Sequence, residues 1–527
     1  MLDRVPKHKL FKMSLLIFLL MGLSTSSFFL SSYLSKTINS NKHSETQLNF
    51  ALAHNNLTAL RFAWKNSTFH SEAWLSLSKK LAKKEGEVAY LLADYYHEQP
   101  KLAIFWYKNA IRLNYVKASI TLAEYYYQQG QLTKAKGILA AMPAKLNENI
   151  NIAANMVKIN IAIDQGSIPV IKHITASGQL QKTPAGQLLL ADIKKYQLLP
   201  SIEPLIDTKP LTASCANSIQ LFATNLKHLK QLEHLILAFQ QQVLSKTVCF
   251  MPVRYLPINA LDCSFELDQA IRCDELSWQQ WANSINARYL GVMLPKGGAN
   301  VHFGIMYFDA QDSVDVFAHE ISHLLGFIDE YPLAADHVKC QASQKTPFSH
   351  NISILKKNYQ GEKKHIRNKV LQQITWAKYI KNTTPILQLA KSLNGKEYWQ
   401  VGTPQAYENE VGLFTAQTCD LSDNTPQKSF NAFKPVSKRT KLQYFALDFP
   451  QLYLSLLQDN ARQYLMPSFH YNIALAYFQQ TSLQQKSVQQ SAFQKKNIEQ
   501  ANYWLKQAAS WEQEVNRREK VRQGKFD

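Results

Sequence analysis

Small and aromatic residues recur at helical spacing in the first and last parts of the chain. The stretch Leu92-Ala-Asp-Tyr-Tyr96 returns thirty residues later as Leu122-Ala-Glu-Tyr-Tyr126. An Ala-x-aromatic-Trp-x-Lys-x-Ala pattern at 103–110 returns at 501–508. Such a period predicts paired helices that stack through small residues against large rings. We therefore expect helical-repeat segments over 45–200 and 465–527.

The pattern changes between these segments, and we expect a separate α+β domain over 205–460. Apolar and β-branched residues at 248–256, 287–294 and 301–308 predict strands. The stretch 218–243 predicts a long helix with Ser218 as its N-cap. The Lys- and Asn-rich insert at 343–400 is expected to be mainly helical, as a wall of a cleft or a surface elaboration.

The N-terminus has the features of an export signal. Basic residues precede an apolar run at 13–23, a Ser/Thr patch and a second apolar run at 28–34. The first run has the length of a signal-peptide core, while 13–34 together are long enough to span a bilayer. The positive-inside rule places 1–12 in the cytoplasm and the remainder outside. We expect a single-pass bacterial inner-membrane protein with a periplasmic ectodomain, or a secreted one if the segment is cleaved.

Length, composition and charge limit the number of domains and the classes of partner. A chain of 527 residues with 46% hydrophobic residues suits two or three domains with substantial cores. Its net charge of +20 indicates either attraction to anionic surfaces or a generally basic, solvated exterior. The lysines are scattered and not interleaved with stacking aromatics, so no nucleic-acid partner is expected.

All six cysteines lie in the central region. An even number confined to one region of an exported chain predicts disulfides, although free buried thiols are the alternative. Pairing between neighbours is one of fifteen possible connectivities. It would join Cys215 to Cys249, Cys263 to Cys273, and Cys340 to Cys419.

One short motif carries the candidate chemistry. On a helix, His319 and His323 lie one turn apart on one face, and both can reach a single Zn²⁺. Glu320 faces the adjoining side and can act as general base toward a zinc-activated water. Gly326 permits a sharp exit from the helix that returns Asp329 as a third ligand. Asp312 or Ser313 can cap the helix.

This motif resembles the signature of metzincin metallopeptidases, and its Asp-Glu-Tyr ending is most similar to the IgA-peptidase-type branch. The resemblance implies an α+β metzincin-like peptidase domain and an edge strand at 301–308 that pairs with an extended substrate. It also implies a turn beneath the metal, whose methionine position falls at Leu442 or Met466. The flanking segments resemble tetratricopeptide and Sel-type repeats, which implies a protein partner bound to these helices.

Two main functions are compatible with the sequence. The first is an exported or membrane-anchored zinc metalloendopeptidase whose repeats recruit a partner or its protein substrate. The second is a membrane-anchored scaffold with a structural or vestigial metal site. A structural zinc needs ligands but no adjacent base, so Glu320 favours the enzyme. Hydrolysis of a non-peptide amide is a third possibility.

Overall fold

The computed structural model describes residues 28–199, 215–264, 270–392, 394–420, 429–483 and 490–526. The chain divides into two compact units. The first comprises the described residues up to Ile161 together with Gly178–Gly186, and the second comprises Ala162–Ser177 and the described residues from Gln187 onward. The chain is therefore a mixed α+β protein with a separate helical part.

The first unit is helical. Residues 28–39 form a helix, and consecutive helices then follow along the chain. Fully buried alanines face large rings such as Trp74 and Tyr107 in its core, as the repeated pattern predicts. Its complete helices are α1 (Glu45–Ala53), α2 (Leu57–Lys65), α3 (Glu72–Leu81), α4 (Gly86–Tyr95), α5 (Pro100–Arg112), α6 (Val116–Gln128) and α7 (Leu132–Ala140). Next come α8 (Glu148–Asp164), α9 (Ile168–Ala176) and α10 (Pro184–Lys195). The second unit contains α9, the end of α8 from Ala162, and α10 from Gln187 onward.

The second unit is built on a mixed sheet. Its strand order is β2-β1-β6-β8-β7, with β3 also paired to β1. The strands pair in parallel except at the edge, where β7 runs antiparallel to β8. The described strands up to this point are β1 (Ser218–Ala223), β2 (Cys249–Phe250), β3 (Arg254–Tyr255), β4 (Cys263–Ser264), β5 (Arg272–Cys273), β6 (Tyr289–Leu294), β7 (Asn300–His302) and β8 (Ile305–Asp309).

Two predictions about this sheet are wrong. Residues 218–223 form the central strand β1, and the helix begins later as α11 (Leu226–Phe239), capped by the Asn225 side chain. All residues of β1 are buried, so its apolar run lacks the alternation that marks a strand with one exposed face. The expected strand at 301–308 is instead a hairpin that turns at Phe303 and Gly304, both with positive φ.

The remaining helices of the second unit lie between and after these strands along the chain. They are α12 (Gln279–Ala282), α13 (Val314–Leu324), α14 (Lys363–Leu371), α15 (Gln451–Asp459), α16 (Phe469–Leu483), α17 (Gln490–Ser510) and α18 (Val515–Arg522). Phe469 and Trp504 from the C-terminal helices belong to one apolar cluster with Trp278 and Tyr307. The C-terminal helices, which the sequence pattern set apart, thus lie in the same folding unit as the sheet.

The insert at 343–400 is not mainly helical, contrary to expectation. Only α14 and one short 3-10 turn interrupt a series of short strands among its described residues. Lysine-rich composition favours helix in isolation, but antiparallel pairing decides the outcome here. The remaining strands are β9 (Ser353–Lys356), β10 (Asn358–Tyr359), β11 (Leu387–Lys391), β12 (Glu397–Val401), β13 (Phe414–Thr415) and β14 (Phe430–Lys434).

The six cysteines form three disulfides, and the neighbour pairing is confirmed: Cys215–Cys249, Cys263–Cys273 and Cys340–Cys419. Disulfides indicate an oxidising compartment, periplasmic or extracellular. Among the described residues, none of the helices combines the length and apolar character needed to span a bilayer. The predicted tail at 1–12 and most of the predicted anchor at 13–34 lie outside the described residues.

Candidate metal centre

Helix α13 carries the histidines. Of the two proposed caps, Ser313 is the N-cap: its hydroxyl accepts a hydrogen bond from the Val316 amide. Apolar side chains, among them Phe317 and Ile321, bury the inner face of the helix. The helix therefore has a fixed position on the sheet, and its histidines project together from one side.

A left-handed glycine ends the helix and redirects the chain. Gly326 has φ +93°, and a Cβ at this position would lie 2.2 Å from the carbonyl oxygen of Tyr464. Its amide donates to the carbonyl of His323, and the Phe327 amide donates to that of Ser322. Only glycine combines this φ with so close an approach, so the chain reverses here, as the motif predicts.

The reversal brings Asp329 onto the two histidines. The Nε2 atoms of His319 and His323 lie 3.1 Å apart, and Asp329 Oδ1 lies 3.2 Å from each. The three atoms thus form a nearly equilateral triangle. The side chains are 8%, 12% and 15% exposed, so the triangle lies just below the surface.

The hydrogen bonds of the rings show which atoms face the centre of the triangle. His319 Nδ1 bonds to the carbonyl of Lys441 at 2.8 Å, and His323 Nδ1 bonds to that of Phe327 at 3.0 Å. A carbonyl oxygen only accepts, so each Nδ1 carries a hydrogen, and in the neutral ring that a metal would bind the lone pair is at Nε2. Asp329 Oδ1 is buried without a hydrogen-bond donor. One possible ligand atom from each residue therefore converges on a common centre, and the group could hold a metal ion.

The electrostatics agree with this geometry. Burial favours the neutral ring of His323, but the adjacent Asp329 carboxylate outweighs burial and raises the pKa to about 10. In turn, burial opposes the charged form of Asp329, but the imidazoles hold its pKa well below the usual range. The cluster therefore attracts positive charge to its centre, as a metal site does.

Glu320 lies beside the triad on the same helix. Its side chain is buried, and residue exposure is 6%. Burial raises the pKa of its carboxyl, although the imidazoles of His323 and His319 oppose that shift. The three predicted ligands are thus brought together, and Glu320 lies next to His319 on the same helix.

Tyr331 is a further neighbour of the triad, and no role was predicted for it. Its ring is nearly parallel to that of His319, with centroids 6.2 Å apart, and the residue is 40% exposed. Burial of the phenol and the charges of Asp329 and Glu320 raise its pKa. The ring thus forms part of the accessible rim of the site.

The turn beneath the site is formed by residues near Leu442, the first of the two predicted positions. The Gln443 and Tyr444 amides both donate to the Thr440 carbonyl, which closes the turn. Lys441 supplies the carbonyl that orients His319. Met466, the second candidate, instead donates its amide to the Leu324 carbonyl at the end of α13. Leu442 therefore follows the residue whose carbonyl orients His319, and its own carbonyl accepts from the Glu330 amide.

Comparisons of this chain with protein-family models, curated proteins and solved structures find no match.

Proposed function

We propose that the protein is an exported zinc metalloendopeptidase of the metzincin type. The observation that carries the proposal is the convergence of three possible ligand atoms, from His319, His323 and Asp329, with the buried carboxyl of Glu320 on the same helix and in electrostatic contact with them. A structural metal site needs no such base. The disulfides support an exported enzyme, because they persist in oxidising compartments.

The donor set favours zinc. Two imidazoles and one carboxylate match catalytic zinc sites with three protein ligands, whereas calcium and magnesium prefer oxygen ligands. Ligand atoms of a tetrahedral zinc site with bonds of about 2.0–2.1 Å lie about 3.3–3.4 Å apart. The observed separations of 3.1–3.2 Å are close to this value. The same ligands also suit iron(II), but an adjacent carboxyl base favours hydrolysis.

In this proposal the metal ligands, Glu320 and two main-chain carbonyls have different roles in catalysis. Zinc, when bound by the triad, supplies Lewis acidity to the attacking water and to the scissile carbonyl. Glu320 accepts the proton of the water and delivers it to the leaving amine. The carbonyls of Lys441 and Phe327 keep both imidazoles oriented for binding.

The edge strand β7 offers less main chain to a substrate than the resemblance implies. The Gly298 carbonyl, just before β7, accepts from the Ile271 amide. The His302 carbonyl accepts from the buried Asn472 side chain at 2.7 Å. A peptide substrate therefore pairs with only a short length of this edge, and we expect side-chain contacts to contribute more to its binding.

The helical-repeat unit is proposed to recruit a protein partner or the substrate itself. The lysines of the chain are scattered and not interleaved with stacking aromatics, so nucleic acid is not proposed as a partner. Attachment to the membrane through the N-terminal segment is part of the same proposal, and secretion after cleavage is its alternative.

The test combines metal analysis with a cleavage assay. Elemental analysis of the purified ectodomain should find about one zinc per chain, and iron in its place would contradict a zinc enzyme. A proteome-derived peptide library should be cleaved without a chelator and remain intact with one. Glu320→Gln should retain zinc and lose roughly 10²- to 10⁴-fold in turnover.

Glu362→Gln is the matched control, because Glu362 is an exposed carboxylate on the insert. It should leave turnover and zinc content unchanged. If Glu320→Gln cleaves as fast as the wild type, Glu320 is not the base. A wild-type protein that binds zinc but cleaves no peptide would favour the scaffold function.

A further inference from the structure

Directly after the third ligand, the chain buries a second carboxylate. Glu330 is 0% exposed, and its Oε2 accepts from Lys434 Nζ at 2.7 Å. Its Oε1 accepts from the Tyr453 hydroxyl and from Asn351 Nδ2. Glu330 therefore points away from the triad, and the carboxylate that could have replaced Asp329 as a ligand is fully engaged elsewhere.

The ion pair between Glu330 and Lys434 is buried in the interior of the second unit. Both partners are removed from water, with side-chain exposures of 0% and 4%. Replacing a buried ion pair by apolar residues of similar volume is often neutral or stabilising, so stability alone does not explain its presence. Its position beside Asp329 suggests a role in orienting that ligand.

The main chain around Glu330 is held on both sides. Its amide donates to the Leu442 carbonyl at 2.9 Å, and its carbonyl accepts from the Gln417 amide at 3.1 Å. Thr418 adds a hydroxyl that donates to the Asp329 carbonyl at 2.8 Å. These bonds fix the backbone of the ligand segment, while the Glu330 side chain fixes its rotation about the chain axis.

Side chains of adjacent residues leave the segment in opposite directions here. Asp329 faces the histidines, and Glu330 faces Lys434 and Tyr453. Rotation that would turn Asp329 away from the triad would also draw Glu330 out of its buried pocket. The burial of one carboxylate thus opposes the misplacement of the other.

We propose that Glu330 is a positioning residue, which with Lys434 and Tyr453 holds Asp329 in the geometry required for metal binding. This proposal rests on the metal site of the proposed function but not on peptide cleavage. It concerns the affinity for the metal itself. Partners that orient metal ligands typically contribute about 10- to 100-fold to that affinity.

The decisive variant removes the polar cluster without leaving an unpaired charge. It combines Glu330→Met, Lys434→Met and Tyr453→Phe, which keep similar volumes. Two quantities are measured on the full ectodomain: zinc affinity by competition with a chelator of known strength, and the melting temperature with excess chelator. We expect a melting temperature near that of the wild type and a zinc affinity about 10- to 100-fold weaker.

A milder variant and a matched control complete the experiment. Glu330→Gln keeps the shape of the side chain, and we expect it to weaken zinc binding in the same direction. Glu512→Gln disturbs another buried carboxylate, which pairs with Arg288 and Arg517. It should lower the melting temperature and leave zinc affinity unchanged.

The outcomes separate this proposal from the proposed function. Wild-type zinc affinity in the triple variant, or in Glu330→Gln should the triple variant not fold, would overturn the positioning role. An equal loss of affinity in Glu512→Gln would also overturn it, because general destabilisation would then explain the effect. A wild-type protein that binds zinc but cleaves no peptide would overturn only the proposed peptidase activity.

Discussion

The ring of His319 donates a hydrogen bond to the main-chain carbonyl of Lys441, which lies 122 residues later in the chain. The next carbonyl, that of Leu442, accepts from the amide of Glu330. Two consecutive carbonyls of one turn therefore support the first ligand and the residue that follows the third. The turn thus sets the distance between the two ends of the motif.

Gly326 is the first position at which this arrangement can be tested. Gly326→Ala places a Cβ against the Tyr464 backbone at a positive φ, so we expect a loss of about 2 kcal/mol or more in unfolding free energy. Zinc affinity should fall with it, because Asp329 is displaced. Denaturant unfolding and chelator competition measure the two effects.

Gly395 provides the control for backbone strain. It also has a positive φ, +78°, but a Cβ there meets nothing within 4 Å. Gly395→Ala should cost only about 1 kcal/mol and leave zinc affinity unchanged. If both variants behave alike, the close approach of Gly326 to Tyr464 does not hold the ligand segment.

Asp329→Asn tests the third ligand itself. The amide keeps the size of the side chain but removes the charge that stabilises positive charge between the histidines. We expect zinc affinity to fall by at least about tenfold, measured by chelator competition. The melting temperature of the chelated protein should also fall, because the carboxylate pairs with the imidazoles in the folded state. Asp336→Asn, at an exposed position, should change neither quantity. Unchanged affinity in Asp329→Asn would remove Asp329 from the site.

The Cys340–Cys419 disulfide is expected to support the metal site as well as the fold. Cys419 follows Thr418, whose hydroxyl donates to the Asp329 carbonyl. Replacing both cysteines by serine should lower the unfolding free energy by about 2–5 kcal/mol and also weaken zinc binding. Denaturant titration and chelator competition separate these losses.

The Cys263–Cys273 pair is the matched control for this prediction. It closes a loop with a sequence separation of 10, against 79 for Cys340–Cys419, so its removal should cost less stability. Its replacement by serines should not affect zinc affinity. Equal zinc affinity in both variants would show that Thr418 keeps its position without the disulfide.

The sequence was sufficient to predict the metal ligands but not the distant residues that orient them. His319, Glu320, His323 and Asp329 lie within eleven residues, so local helix geometry and one glycine place them. Lys434 and Lys441 reach the site through contacts more than one hundred residues apart, which no local period encodes.

The errors in the secondary-structure prediction also arise because contacts between distant parts of the chain decide the structure. Strand β1 is buried throughout, so its apolar run is compatible with a helix or a strand until neighbouring strands are known. The insert contains short strands whose pairing, such as Leu389 opposite Trp399, overrides the helix propensity of its lysines.

The disulfide pairing was one of fifteen possible connectivities of six cysteines. The sequence alone does not distinguish between them, because the fold determines which cysteines are close together.

The last prediction concerns the buried network that attaches the C-terminal helices. Arg288 Nη2 lies 2.6 Å from Glu512 Oε1, and Arg517 pairs with the other oxygen of the same carboxylate. Arg288 also donates to the Trp511 and Met466 carbonyls. Because Arg288→Met removes one of the two arginines that pair with the buried Glu512 carboxylate and the donor to the Trp511 carbonyl, we expect a loss of about 3–5 kcal/mol, measured by urea unfolding.

An exposed pair in the same unit gives the comparison. Lys391 and Glu397 lie 3.3 Å apart with side-chain exposures of 67% and 56%, and Lys391→Met should cost at most about 1 kcal/mol. The Arg288→Met transition should remain a single step for the second unit, since the C-terminal helices share the core of the sheet. A separate early transition of these helices, with the sheet still folded, would contradict their assignment to the same folding unit.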